Sequence, residues 1–113
     1  MSTGGTDTVV LARADDLPEG EVLRAVVNGK AIAVYNVGGT FYASDDVCNH
    51  GQASLSEGYL DGEEIECPLH GGRFNVRTGA PCAPPVTRPI KTYRVALRDG
   101  LVVLADPAEL DAS

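Results

Sequence analysis

The feature that most constrains this chain is a pair of short groups, Cys48-Asn-His50 and Cys67-Pro-Leu-His70, separated by sixteen residues. Each group holds one cysteine and one histidine. They contain the only two histidines of the protein and two of its three cysteines. A C-x-H group followed by a C-x-x-H group is a metal-ligand pattern. Thiolate is a soft ligand and neutral imidazole a borderline one, so the candidate metals are zinc and iron–sulfur. A structural zinc finger usually pairs cysteine with cysteine and histidine with histidine along the chain. Here each group is mixed. A mixed pair suits a site of two metal atoms, in which each loop sends its cysteine to one metal and its histidine to the other.

These residues resemble the two cluster loops of Rieske proteins, Cys48-Asn-His50-Gly51 and Cys67-Pro68-Leu-His70-Gly71. The flanks are similar too: Ala53, Leu55-Ser56, Gly58, Phe74, Thr78-Gly79 and the proline pair Pro84-Pro85. The resemblance runs from about Phe41 to the end of the chain and includes Thr92-Tyr93. It is strongest to the soluble Rieske ferredoxins of bacterial ring-hydroxylating dioxygenases, notably the naphthalene-dioxygenase kind. It implies one 2Fe–2S cluster held by Cys48, His50, Cys67 and His70. The cysteines would bind the inner iron, and the histidines the outer iron near the surface, the natural exit for an electron. It also implies an all-β Rieske fold, an antiparallel base with an inserted cluster-binding lobe.

Composition fits a single domain. A chain of 113 residues can bury a core without disulfides. With no tryptophan and six aromatics (Tyr 4, Phe 2), the core falls to Val, Leu, Ile and Ala. No apolar run approaches the roughly 20 residues that span a bilayer. The segment Met1–Thr6 has neither the basic nor the apolar region of a signal peptide. With two cysteines committed to metal, no intramolecular disulfide can form. The expectation is a cytoplasmic protein free of membrane, and a monomer.

The net charge of −7 argues against nucleic acid, which needs a basic face. The charge is also segregated along the chain. From Asp45 to Glu66 there are seven acids and no base, and from Cys67 to Arg98 six bases and no acid. Two readings stand: a solvated surface that keeps a small protein soluble, or an electric asymmetry that steers docking to a redox partner.

The local pattern is β throughout. Thr8 to Leu11 reads as a short strand, and Asp15 to Gly20 as a turn segment. Val22–Val27 and Ala31–Val37 flank Asn28-Gly29, a hairpin signal because both turn positions need positive φ. Gly38-Gly39, Asp61-Gly62 and Asp99-Gly100 mark further turns, the last between Ile90–Leu97 and Leu101–Ala105. Asp106-Pro107 can cap one helical turn. By texture, residues 1 to about 43 and about 86 to 113 form the base. Residues about 44 to 85, rich in glycine and proline, form the lobe that holds the ligands.

Respiratory Rieske proteins have a serine where Gly72 stands and a tyrosine where Phe74 stands, and an extra cysteine at the position of Leu69. None of these is present here. Hydroxyl donors to the cluster raise its potential, so their absence predicts a centre near the bottom of the Rieske range of about −150 to +300 mV. Gly51, Gly71 and Gly72 serve either close backbone approach to the cluster or plain turn geometry. Pro84-Pro85 is expected to cover the cluster on a third side, and Cys82 to be a buried free thiol. Glu63, Glu64 and Glu66 alternate around Ile65 as the solvent face of a strand.

Both histidines are committed, so no second iron site of the two-histidine, one-carboxylate kind can be built, and no nucleotide-binding fingerprint is present. The expectation is an electron shuttle, not an enzyme. Its partners would be an NADH-dependent flavoprotein reductase and a terminal aromatic-ring dioxygenase. Two alternatives remain: a Rieske small subunit of another oxidoreductase such as nitrite reductase, and a zinc-stabilised β module.

Overall fold

In the computed structural model, residues 8–48, 53–69, 71–84 and 86–110 are described. His50, Gly51, His70 and Pro85 lie outside them. The described chain is all-β, with antiparallel pairing in every sheet and only single turns of 3-10 helix besides. None of its helices is long and apolar enough to cross a membrane.

Eleven strands form three sheets. β1 (Val10–Arg13), β11 (Leu101–Leu104) and β10 (Val95–Arg98) form the first, with β11 in the middle. β2 (Val22–Val27), β3 (Lys30–Val37), β4 (Thr40–Asp45) and β9 (Thr92–Tyr93) form the second in that order. β5 (Tyr59–Asp61), β6 (Glu64–Glu66), β7 (Arg73–Asn75) and β8 (Pro81–Ala83) form the third, a meander contiguous in sequence.

Turn chemistry sets much of this. Asn28 and Gly29 adopt φ of 52° and 80° and close the β2–β3 hairpin, and Asp99 and Gly100, at 52° and 78°, close β10–β11. Asparagine and aspartate tolerate this left-handed region better than other side chains do. At the third hairpin Asp61 pairs with Glu64, so the turn residues are Gly62 and Glu63, one position later than the Asp61-Gly62 expectation. At the tail, Asp106 Oδ1 accepts a hydrogen bond from the Ala108 amide at 3.1 Å and caps the 3-10 turn Pro107–Leu110.

Two expectations about strands are corrected. β1 begins at Val10 rather than Thr8, and its pairing with β11 is irregular between Val10 and Ala12. The continuous strand over Ile90–Leu97 is in fact two. Thr92 and Tyr93 pair with Ser44 and Ala43 of β4, whereas Val95–Arg98 pair with β11. The chain crosses from one sheet to another at Arg94.

β3 is the strand on which both halves of the core are built. Its residues are buried on both faces, which is why it reads as an unbroken apolar run. Ile32 and Val34 face a core shared with Leu11, Leu17, Ala25, Val102 and Leu104. Ala33 and Tyr35, displaced by the period of two, face a second core that contains Cys48, Leu55, Ile65, Cys67, Phe74 and Val86. The cysteines thus share a core with the back of the central strand.

Candidate metal centre

Both cysteine loops are tied at the base in the same way. The Cys48 amide donates to the Ala53 carbonyl at 2.9 Å, and the Cys67 amide to the Gly72 carbonyl at 2.7 Å, each five residues on. The first loop follows β4 and is closed by an isolated antiparallel bridge between Val47 and Ser54. The second is the connection between β6 and β7. It is tightened by a bond from the Gly71 amide to the Cys67 carbonyl at 3.1 Å.

Burial is split sharply within each loop. Cys48 and Cys67 are each 1% exposed and belong to one apolar cluster, while Val47, Pro68 and Leu69 beside them are exposed. Neither cysteine is in a disulfide. Two thiols held at the base of adjoining loops, facing a common core, are the soft half of the expected donor set. Among the described residues no group of three metal-ligating side chains occurs. His50 and His70, the other half, lie outside the described residues.

The two described loop glycines have different reasons. Gly71 has a φ of 74°, and a Cβ there would meet nothing nearer than Glu66 Oε2 at 4.0 Å, so the turn itself calls for glycine. A Cβ at Gly72 would stand 2.7 Å from Cγ1 and 3.3 Å from Cγ2 of Val86, so there glycine is a matter of space. Of the segment expected to cover the site, Pro84 is exposed, Pro85 lies outside the described residues, and Val86 next to it packs into the cysteine core. Sequence reading passed over Val86, a lone valine after two prolines.

This contact yields a prediction. Gly72→Ser places a side chain against a β-branched neighbour that has little rotamer freedom, and should cost about 1–3 kcal/mol by overpacking. Adding Val86→Ala should return most of that loss. Thermal denaturation of the single and double variants checks it.

Phe74 is fully buried opposite Ile65 across the β6–β7 pair, in the same core as both cysteines. No hydroxyl stands at 72 or 74. Tyr35 is the fully buried hydroxyl-bearing aromatic of this core, and its OH lies 2.8 Å from Ser44 Oγ. Ser44 in turn donates to the Asp45 carbonyl at 2.9 Å, so Tyr35 spends its proton on Ser44. Burial pushes the Tyr35 hydroxyl well above the usual phenol range.

The two charge blocks of the sequence meet where β6 and β7 pair. Arg73 Nη2 lies 2.8 Å from Glu66 Oε1, and Nη1 lies 3.4 Å from Glu64 and 3.5 Å from Asp61. Arg77 Nε lies 3.4 Å from Glu63. β6 and β7 are antiparallel neighbours, so the last acids of one block meet the first bases of the next. Glu64 and Glu66 do flank buried Ile65 on a strand, but both are half-buried ion-pair partners rather than a free solvent face.

Cys82 corrects an expectation. It is exposed, because it is the middle residue of β8, an outer strand paired only with β7. Its Sγ lies 3.5 Å from the Ala80 carbonyl, and partial burial, with Glu64 adding to it, raises its thiol pKa.

Comparison with known proteins adds the family. A model of the Rieske [2Fe-2S] domain matches residues 7–94. The ferredoxin component of the naphthalene 1,2-dioxygenase/salicylate 5-hydroxylase systems of Ralstonia sp. is 53% identical over 90 residues, covering 80% of this chain and 86% of that protein. The structure of Sphingomonas yanoikuyae B1 ferredoxin superposes with a TM-score of 0.85 at 42% identity, covering 89% of this chain and all of that one. A chain of a complex of reduced oxygenase and oxidised ferredoxin in carbazole 1,9a-dioxygenase superposes with a TM-score of 0.81 at 46% identity, over 87% of this chain and 92% of that chain. With its thiols buried at the base of two matched loops, this chain belongs to the Rieske [2Fe-2S] family, and its prosthetic group is one Rieske-type 2Fe–2S cluster.

Proposed function

We propose that this protein is a one-electron carrier that delivers electrons to the terminal oxygenase of an aromatic-ring dioxygenase system. The observation that carries the reading is the pairing of Cys48 and Cys67 in one buried core beneath exposed loop residues, in a chain half identical to dioxygenase ferredoxin components. In this reading Cys48, His50, Cys67 and His70 are the ligands. The cluster supplies a site that takes up and gives back one electron.

The residues of the chain do the rest. The core around Ile65, Phe74 and Val86 excludes water from the cysteine side, so exchange is confined to the side of the exposed loop residues Val47, Pro68 and Leu69. The two amide-to-carbonyl ties hold each cysteine fixed, which keeps reorganisation on electron exchange small. The lack of hydroxyl donors at Gly72 and Phe74, with Tyr35 engaged by Ser44, supports a low potential.

The same reading divides the chain into a base, about 1–43 and 86–113, and a cluster-binding lobe, about 44–85. The partners are a flavoprotein reductase upstream and a terminal oxygenase downstream, with the carrier a cytoplasmic monomer. The complex of oxygenase and ferredoxin in carbazole 1,9a-dioxygenase supports the downstream partner. The role is electron transfer and not catalysis, as the ferredoxin-component names of its relatives support.

The test is reconstitution. Reduced protein, mixed anaerobically with an oxidised terminal oxygenase of a naphthalene-type system, should reoxidise by one electron per chain. With NADH and reductase present it should sustain oxidation of the aromatic substrate. A protein that stays reduced beside the oxygenase, or that titrates well above about 0 mV in the Rieske range, contradicts this role.

A further inference from the structure

Asp46 is the only charged side chain that is buried among the described residues, at 0% exposure, and it stands two positions before Cys48. Its backbone brackets the first cysteine loop. The Asp46 amide donates to the Ala31 carbonyl at 3.1 Å, and its carbonyl accepts from the Leu55 amide at 2.7 Å. Its Oδ1 accepts from the Ser56 amide at 2.8 Å. Oδ2 is buried without a hydrogen bond, and among the described residues its ion-pair partner is Arg24 Nε of β2 at 3.3 Å. The Arg24 side chain is 55% exposed, so water shares its charge and screens it.

This is an expensive arrangement for a purely structural purpose. A buried carboxylate costs several kcal/mol unless fully compensated, and among the described residues one oxygen is compensated only from the surface. The loop needs an acceptor for the Ser56 amide, which a neutral asparagine oxygen would also provide. What asparagine would not provide is the negative charge. A fixed negative charge buried two positions before Cys48 opposes addition of an electron to a cluster bound there.

We propose that Asp46 and Arg24 are a tuning pair for the reduction potential. The Asp46 carboxylate fixes the first cysteine loop and holds the potential down, and Arg24 partly offsets that charge. The inference rests on the 2Fe–2S reading of the site. Asp46 is a positioning and electrostatic residue and is not a ligand.

The experiment is direct electrochemistry on the cluster-loaded protein at low ionic strength, in which the electrode supplies the single electron, for wild type, Asp46→Asn and Arg24→Gln. Asp46→Asn should favour reduction by about tenfold, which is 59 mV for one electron. Arg24→Gln should disfavour it by about two- to threefold, less because that charge is screened. The EPR signal of both should match wild type. A merely structural role would lower thermal stability in both variants, with potentials unchanged or moved in the same direction. That outcome overturns the proposal. If Asp46→Asn does not retain the cluster, Arg24→Gln decides alone: a lower potential supports the pair, and an unchanged or higher one overturns it. A wild-type protein without a cluster spectrum would overturn the 2Fe–2S reading and the proposal with it, and the visible spectrum reports this separately from any potential.

Discussion

Replacing Cys67 by serine should abolish the visible absorbance of the protein and its iron content, while the same change at Cys82 should leave both intact. The contrast follows from position. Cys67 is buried at the base of the β6–β7 loop, its backbone pinned at both the amide and the carbonyl, and faces the core that also holds Cys48. A serine hydroxyl is a hard, neutral donor in place of a thiolate and cannot replace it on iron. Burying that hydroxyl among Ile65, Phe74 and Val86 adds about 1–3 kcal/mol of destabilisation. Cys82 lies exposed on β8 and is not in this core. Iron analysis and the absorption spectrum of the two variants, purified side by side, check the prediction. Retention of colour in Cys67→Ser would remove Cys67 from the ligand set.

Phe74→Ala should lower stability by about 3–5 kcal/mol, from lost transfer energy and from the cavity left behind. A small domain has a net stability of about 5–15 kcal/mol, so this is a large fraction of it. Phe74 is fully buried opposite Ile65 and is one of the largest side chains of the cysteine core. With Ile65 and Val76 it anchors the third sheet to that core. Chemical denaturation should show the loss as a lower midpoint, and the variant should release iron faster than wild type under the same denaturant. Phe74→Tyr keeps the ring and adds a hydroxyl close to the cysteines. It should therefore retain the cluster.

The parts of this molecule that were legible in the sequence are those set by short-range chemistry. The Cys48 and Cys67 groups announce a metal through ligand type and spacing. Asn28-Gly29 and Asp99-Gly100 announce hairpins because few residues accept the positive φ those turns use. Asp106 with Pro107 announces a helical turn because the cap is local. The parts that were not legible depend on what distant segments bring. Nothing within Ile90–Leu97 signals that Tyr93 pairs with β4 and Val95 with β11, since both halves are equally strand-like. The exposure of Cys82 depends on β8 being an outer strand, a property of the sheet order. Asp46 looks like one more acid in an acidic run until Ala31, Leu55, Ser56 and Arg24 are seen around it. The two charge blocks look like a polarised surface until β6 and β7 pair and bring Arg73 against three carboxylates.

The central claim is that Cys48 and Cys67, with His50 and His70, hold a Rieske-type cluster. The most direct test is the EPR spectrum of the purified protein before and after dithionite, read with its visible spectrum. The account predicts a red-brown protein that bleaches on reduction and then gives the rhombic, low-average-g signal of a 2Fe–2S centre with two histidine ligands. A colourless, EPR-silent protein with stoichiometric zinc would contradict it.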